Sequence, residues 1–108
     1  MKDGAIEIGI FKLKEGVELN DATEAYQKMI KLFLSKQSGW QAQSLIFLEN
    51  GTLIDLAWAE NIHVSKLICN LWESSQECLA FLELIEPISM QFGQVISLNT
   101  ENSVVESI

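Results

Sequence analysis

Ser44-Leu45-Ile46-Phe47-Leu48-Glu49-Asn50-Gly51-Thr52-Leu53-Ile54-Asp55-Leu56-Ala57-Trp58-Ala59-Glu60 is the stretch on which the fold turns. Asn50-Gly51 is a strong hairpin signal, because a tight turn of this kind needs positive φ at both residues. The arms on either side are apolar on both faces. A sheet with one wet face alternates apolar and polar residues, and one that does not alternate is covered on both sides. A chain of 108 residues is one domain with a single core. It is too short to cover both faces itself, so one face takes its own helices and the other takes a second copy.

A two-residue turn predicts a register with Phe47 opposite Ile54, Leu45 opposite Leu56 and Gln43 opposite Trp58. One face then carries Gln43, Leu45, Leu56 and Trp58. The other carries Ile46, Leu48, Leu53, Asp55, Ala57 and Ala59, and would be bare in a monomer.

Working outward, Ala5 to Lys14 reads as a strand. Ile6, Ile8 and Ile10 fall on one side, and Glu7, Gly9, Phe11 and Leu13 on the other. A helix follows Gly16, capped at Asn20 or Asp21 with Asp21-x-x-Glu24 as a capping box. Its inward residues are Ala22, Ala25, Tyr26, Met29, Ile30, Leu32 and Phe33, at helical spacing. Strands are predicted at Trp40–Glu49 and Thr52–Glu60. A helix over Asn61–Glu73 turns Val64, Leu67, Ile68, Leu71 and Trp72 inward. Ser74-x-x-Glu77 restarts a helix that Pro87 stops, and Ile88 to Leu98 is the last strand.

The order strand, helix, strand, strand, helix, strand is the split βαβ plan: an α+β, ferredoxin-like βαββαβ with an antiparallel sheet. Both helices then cover one sheet face, and bare apolar faces of this size pair with a copy of themselves. Residues 1–98 form the domain, and 99–108 form a polar tail with a Val104-Val105 patch.

The net charge of −8 excludes a nucleic-acid partner, since Lys12, Lys14, Lys28, Lys31 and Lys36 are spread over a strand and a helix. No apolar run approaches a membrane span. Met1-Lys2-Asp3-Gly4 leads straight into a charged strand, so no signal peptide is expected and the cytoplasm is the default location. Cys69 and Cys78 make no Cys-x-x-Cys pair and have no partner at metal spacing; they read as reduced, small core residues. No metal, cofactor or phosphate-loop motif is present.

The segments Phe11-Lys12-Leu13-Lys14-Glu15-Gly16, Ser38-Gly39-Trp40, Asp55-Leu56-Ala57-Trp58-Ala59-Glu60 and Phe81-Leu82-Glu83-Leu84-Ile85-Glu86-Pro87 together resemble the dimeric α/β-barrel families. The chain is most similar to the antibiotic-biosynthesis-monooxygenase-like domains. The resemblance implies the ferredoxin-like fold, a homodimer and a small apolar ligand as partners. It does not imply one activity, because members include cofactor-free oxygenases, haem degraders and isomerases.

Oxygenase and haem-degrading members use a tryptophan late in the third strand, and Trp58 matches it. Their other residues do not match. Haem degraders add an asparagine on the first strand, where this chain has Glu7 and Gly9, and a histidine where it has Leu67, Ile68, Cys69 and Asn70. His63 comes too early. The oxygenase asparagine is replaced by Ile54 and Asp55.

The candidate ligand-binding residues are Trp58, Gln43, Glu60, His63 and Asp55. Trp58 is either a packed core aromatic or the flat wall of a pocket, with Gln43, Glu60 and His63 as its polar company. Asp55 on a covered face needs a partner, with Lys12 or Lys14 the candidate cation, or serves as a general base. His63, at a strand-to-helix junction, is a capping or exposed residue unless Glu60 orients it as a base.

The expected function is binding of a small molecule between the helices and the sheet. The rivals are a cofactor-independent oxygenase or isomerase acting on a planar apolar substrate, and a non-catalytic structural or regulatory dimer whose cavity Phe33, Trp72 and Phe81 would fill.

Overall fold

The computed structural model describes residues 4–102; Met1 to Asp3 and residues 103–108, with the Val104-Val105 patch, lie outside them. Four strands, β1 (Ala5–Leu13), β2 (Trp40–Phe47), β3 (Leu53–Ala59) and β4 (Ile85–Gln94), form one antiparallel sheet in the order β2-β3-β1-β4. Helix α1 (Leu19–Leu32) joins β1 to β2. The β3–β4 connection holds α2 (Ile62–Leu71) and α3 (Gln76–Leu82), separated by a 3₁₀ turn at Trp72–Ser74. This is the predicted ferredoxin-like α+β plan.

Every buried strand residue lies on one face of the sheet: Ala5, Glu7, Phe11, Leu53, Asp55, Ala59 and Ile85. Ala22, Tyr26 and Met29 of α1, Ile68 of α2, and Cys78 and Phe81 of α3 close over that face. Phe81 is the hub. Its ring meets Tyr26 at 5.5 Å, Phe11 at 5.6 Å and Trp72 at 6.5 Å, all edge-to-face.

The hairpin register differs from the expected one by one residue. Phe47 faces Leu53, Leu45 faces Asp55 and Ala42 faces Trp58. The cause is the turn. Leu48 N–H donates to Thr52 O at 2.8 Å, so the loop is the three residues Glu49, Asn50 and Gly51. Gly51 takes positive φ, at 88°. The Asn50 side chain accepts from Thr52 N–H at 3.0 Å, a local bond that asparagine favours in turns.

A one-residue slip moves every side chain to the other face. Leu53, Asp55, Ala57 and Ala59 therefore stand on the helix side. The open face carries Ile6, Ile8 and Ile10 beside Trp58, Leu56 and Ile54, which in turn lie beside Ala42, Ser44 and Ile46. It is more continuously apolar than the face the sequence predicts; Ile46 belongs to both, and β3 contributes Ile54, Leu56 and Trp58 instead of Leu53, Asp55, Ala57 and Ala59.

Smaller departures have local causes. Helix α1 begins at Leu19 with Glu18 as an N-cap lacking a side-chain bond, so Asp21 sits inside the first turn and the Asp21–Glu24 box does not form. Leu32 is exposed. Asn61 caps α2 by accepting from Val64 N–H at 2.9 Å. That helix rests on its Ser65–Ile68 edge, leaving Leu67 50% and Leu71 39% exposed. Ser75, not Ser74, caps α3, accepting from Cys78 N–H at 3.2 Å.

Strand β4 starts at Ile85, held where Lys14 N–H donates to Leu84 O at 3.0 Å. Pro87 therefore lies within β4, opposite Phe11 and beside a register shift, rather than ending a helix. An edge strand next to an irregularity is where a sheet tolerates a missing N–H.

Candidate functional site

The open spaces on the helix side differ greatly in size, and one of about 200 Å³ lies between Tyr26 of α1 and Gln43, Leu45 and Leu53 of the hairpin. Near the β2 end, Trp58 contributes to the wall of a void of about 10 Å³ only, room for one water at most. Trp58 is half-buried, and its strand neighbours Ile6 and Ala42 place it on the open face. The expected ligand space between Trp58, Gln43, Leu45, Leu56 and the helices is therefore split across the sheet. Gln43 and Leu45 lie on one side, Leu56 and Trp58 on the other.

The most apolar of these cavities is at the opposite end, over β1 and β4, where the helix break between α2 and α3 leaves the sheet uncovered. It measures about 380 Å³, within the range of small-molecule sites. Phe11, Trp72, Phe81 and Met90 give it apolar walls, and Glu7, Gly9 and Asp55 line its sheet side. Trp72 and Phe81 thus border the space instead of filling it.

Gly9 opens this cavity. It sits mid-strand between Asp55 of β3 and Met90 of β4. A Cβ placed on it would meet only the Asp55 Cβ, at 3.8 Å, which is ordinary contact. Glycine weakens a strand interior, and such a position marks close approach of a ligand or another backbone. No backbone occupies this one.

The polar groups form a connected set. Tyr26 O–H donates to Asp55 Oδ1 at 2.6 Å, and Gln43 Nε2 donates to Asp55 Oδ1 and Oδ2 at 3.0 and 3.1 Å. Trp40 Nε1–H donates to Gln43 Oε1 at 3.0 Å. The partners of Asp55 are thus Tyr26 and Gln43, not Lys12 or Lys14. Burial pushes the Asp55 carboxyl above the usual range, although both donors act to lower it.

Glu7, only 7% exposed, stands one pleat from Gly9. Burial raises its carboxyl, the neighbouring Cys69 thiol acts to lower it, and the nearby Asp55 charge raises it again. The Cys69 thiol is itself pushed up to about 12, chiefly by burial and then by the Glu7 charge. It stays protonated, lies 3.7 Å from Met90 Sδ and is no nucleophile.

Of the five residues singled out from sequence, Gln43 and Asp55 come together, and Asp55 reaches the cavity. Glu60 is exposed at the end of β3, its N–H donating to Gly39 O at 2.9 Å. His63 is exposed on the first turn of α2. Neither borders the cavity. Glu7, Gly9 and Cys69 do border it, and sequence reasoning did not single them out as a site. The signal was there: a carboxylate between isoleucines, on the side of the strand that holds Phe11.

No histidine lines the cavity among the described residues, and its carboxyls are those of Glu7, Asp55 and Glu73. Among the described residues no helix is long and apolar enough to cross a membrane.

No protein-family model matches the sequence, and none of the curated proteins does. Solved structures do match. An antibiotic-biosynthesis-monooxygenase-like protein from Chloroflexus aurantiacus J-10-fl superposes with a TM-score of 0.69 at 8% identity, covering 90% of this chain and 97% of that one. SnoaB, a cofactor-independent oxygenase from Streptomyces nogalater, gives 0.67 at 11% identity, covering 92% and 97%. The structural-genomics protein YjcS gives 0.65 at 14% identity, covering 85% and 98%. At these identities the likeness is one of fold, and it spans nearly the whole length of each chain. This chain shares the ferredoxin-like α+β fold of these antibiotic-biosynthesis-monooxygenase-like structures.

Proposed function

We propose that this is a small-molecule-binding protein that takes an apolar ligand in the cavity over Gly9 and works as a homodimer joined through its open sheet face. The cavity carries the first part. A glycine at mid-strand, bordered by aromatic walls and a few convergent polar groups, is what a binding site requires and what a packed core does not. The row of isoleucines with Leu56 and Trp58 supports the second, because a contiguous apolar face of this kind marks an interaction surface. The two parts are compatible. The cavity lies on the helix side of the sheet, in the gap between α2 and α3, and the open face is on the other side.

The cavity-filling variant Gly9→Leu tests the binding reading. Gly9 has ordinary strand geometry and free space in front of it, so the added side chain enters the cavity without forcing the backbone. Removing a mid-strand glycine favours the strand by roughly 0.5–1 kcal/mol. The variant should melt at or above the wild-type temperature. The neutral, polarity-sensitive dye prodan should bind the wild type with a blue-shifted emission and bind Gly9→Leu at least about tenfold more weakly. Equal binding to both proteins would refute the assignment.

A further inference from the structure

We infer that the ligand of this cavity carries a protonated amine on an apolar, preferably aromatic, skeleton, with Glu7 as its counter-charge; this rests on the binding reading above. The lining is the argument. Every ionisable side chain on it other than the Cys69 thiol is a carboxyl: Glu7 and Asp55 within, and the exposed Glu73 among the bordering residues. No lysine, arginine or histidine lines the cavity among the described residues. The nearest strand neighbour of Glu7 with a cation on it is Phe92, and there Lys66 Nζ is held over the ring at 5.6 Å rather than in the cavity.

The two inner carboxyls are not equivalent. Asp55 already accepts from Tyr26 and from Gln43. Glu7 is as buried as Asp55 is, to within a few per cent, yet the group beside it is the Cys69 thiol, a weak donor that is directed to Met90 Sδ at 3.7 Å. A buried carboxylate wants a cation with N–H donors. An ammonium entering beside Gly9 would supply both, and the Trp72 and Phe81 rings bordering the same space offer faces or edges to the attached skeleton and π-density to the cation. An anionic ligand meets the reverse: carboxyls, no donor side chain of positive charge, and a chain of net charge −8.

Three probes sharing one skeleton test this: 1-naphthylmethylamine, 1-naphthylmethanol and 1-naphthoate, titrated by calorimetry at neutral pH and moderate salt. The amine should bind roughly tenfold or more tightly than the alcohol, and the carboxylate should bind most weakly. Glu7→Gln, nearly isosteric, should remove the advantage of the amine and leave the alcohol unchanged. Glu24→Gln, which removes an equal charge from the exposed side of α1, should leave the advantage intact. An amine that binds no better than the alcohol, or an advantage that survives Glu7→Gln, overturns the inference. If the alcohol still binds and Gly9→Leu abolishes it, only the amine assignment has failed. If none of the three binds, the cavity reading has failed with it.

Discussion

Replacing Leu56 with lysine is expected to turn a dimer into a monomer, or to drive the protein out of solution. Leu56 lies in the middle of the open face, between Ile8 of β1 and Ser44 of β2. In an isolated protomer a lysine there reaches water and costs the fold little. Buried against a second copy it would be an unpaired charge, at a cost of about 3–5 kcal/mol. A penalty of that size weakens association by more than about a hundredfold. Sedimentation at micromolar concentration should show a dimer for the wild type and a monomer with unchanged circular dichroism for the variant. The comparison with Ala57→Lys sharpens the test. Ala57 is on the helix side of the same strand, so a lysine there should unfold the protomer rather than dissociate it. A wild type that sediments as a monomer would remove the dimer from this account.

The largest loss of stability is expected for Phe81→Ala. Phe81 is 1% exposed and touches Phe11, Tyr26 and Trp72 edge-to-face, joining α3 to β1, to α1 and to the end of α2. Truncating a buried phenylalanine costs about 3–5 kcal/mol, against a total of ~5–15 kcal/mol for a domain. The hole would also merge with the neighbouring cavity, so the site loses its wall as the fold loses its hub. Urea unfolding should show the midpoint falling by a large fraction of its value. A loss below about 1 kcal/mol would mean that the core is organised elsewhere.

The element order and the sheet plan were legible because they rest on strong local signals: the Asn50-Gly51 turn, the helical spacing around Tyr26 and Met29, and the break before α3. The register was not. A hairpin apolar on both faces gives alternation nothing to choose between. The choice then fell on loop length, which Leu48 and Thr52 settle by pairing. That single residue carried Trp58 to the open face and Asp55 to the helix face, and with them most of the expected site. Glu7 and Gly9 were correctly placed on the side of Phe11, but their meaning depends on what lies above them. Only the uncovered gap where α2 gives way to α3 makes a mid-strand glycine into the floor of a cavity, and a sequence does not display a gap.

The central claim is that a ligand sits over Gly9, and diffraction tests it most directly. Crystals soaked with iodobenzene should show an anomalous iodine peak inside the cavity, in van der Waals contact with Phe81 and Trp72 and above the Gly9 Cα. The same soak of Gly9→Leu should show none there. Iodine found only on the open face around Trp58 and Leu56, with the space over Gly9 empty in the wild type, would contradict the account.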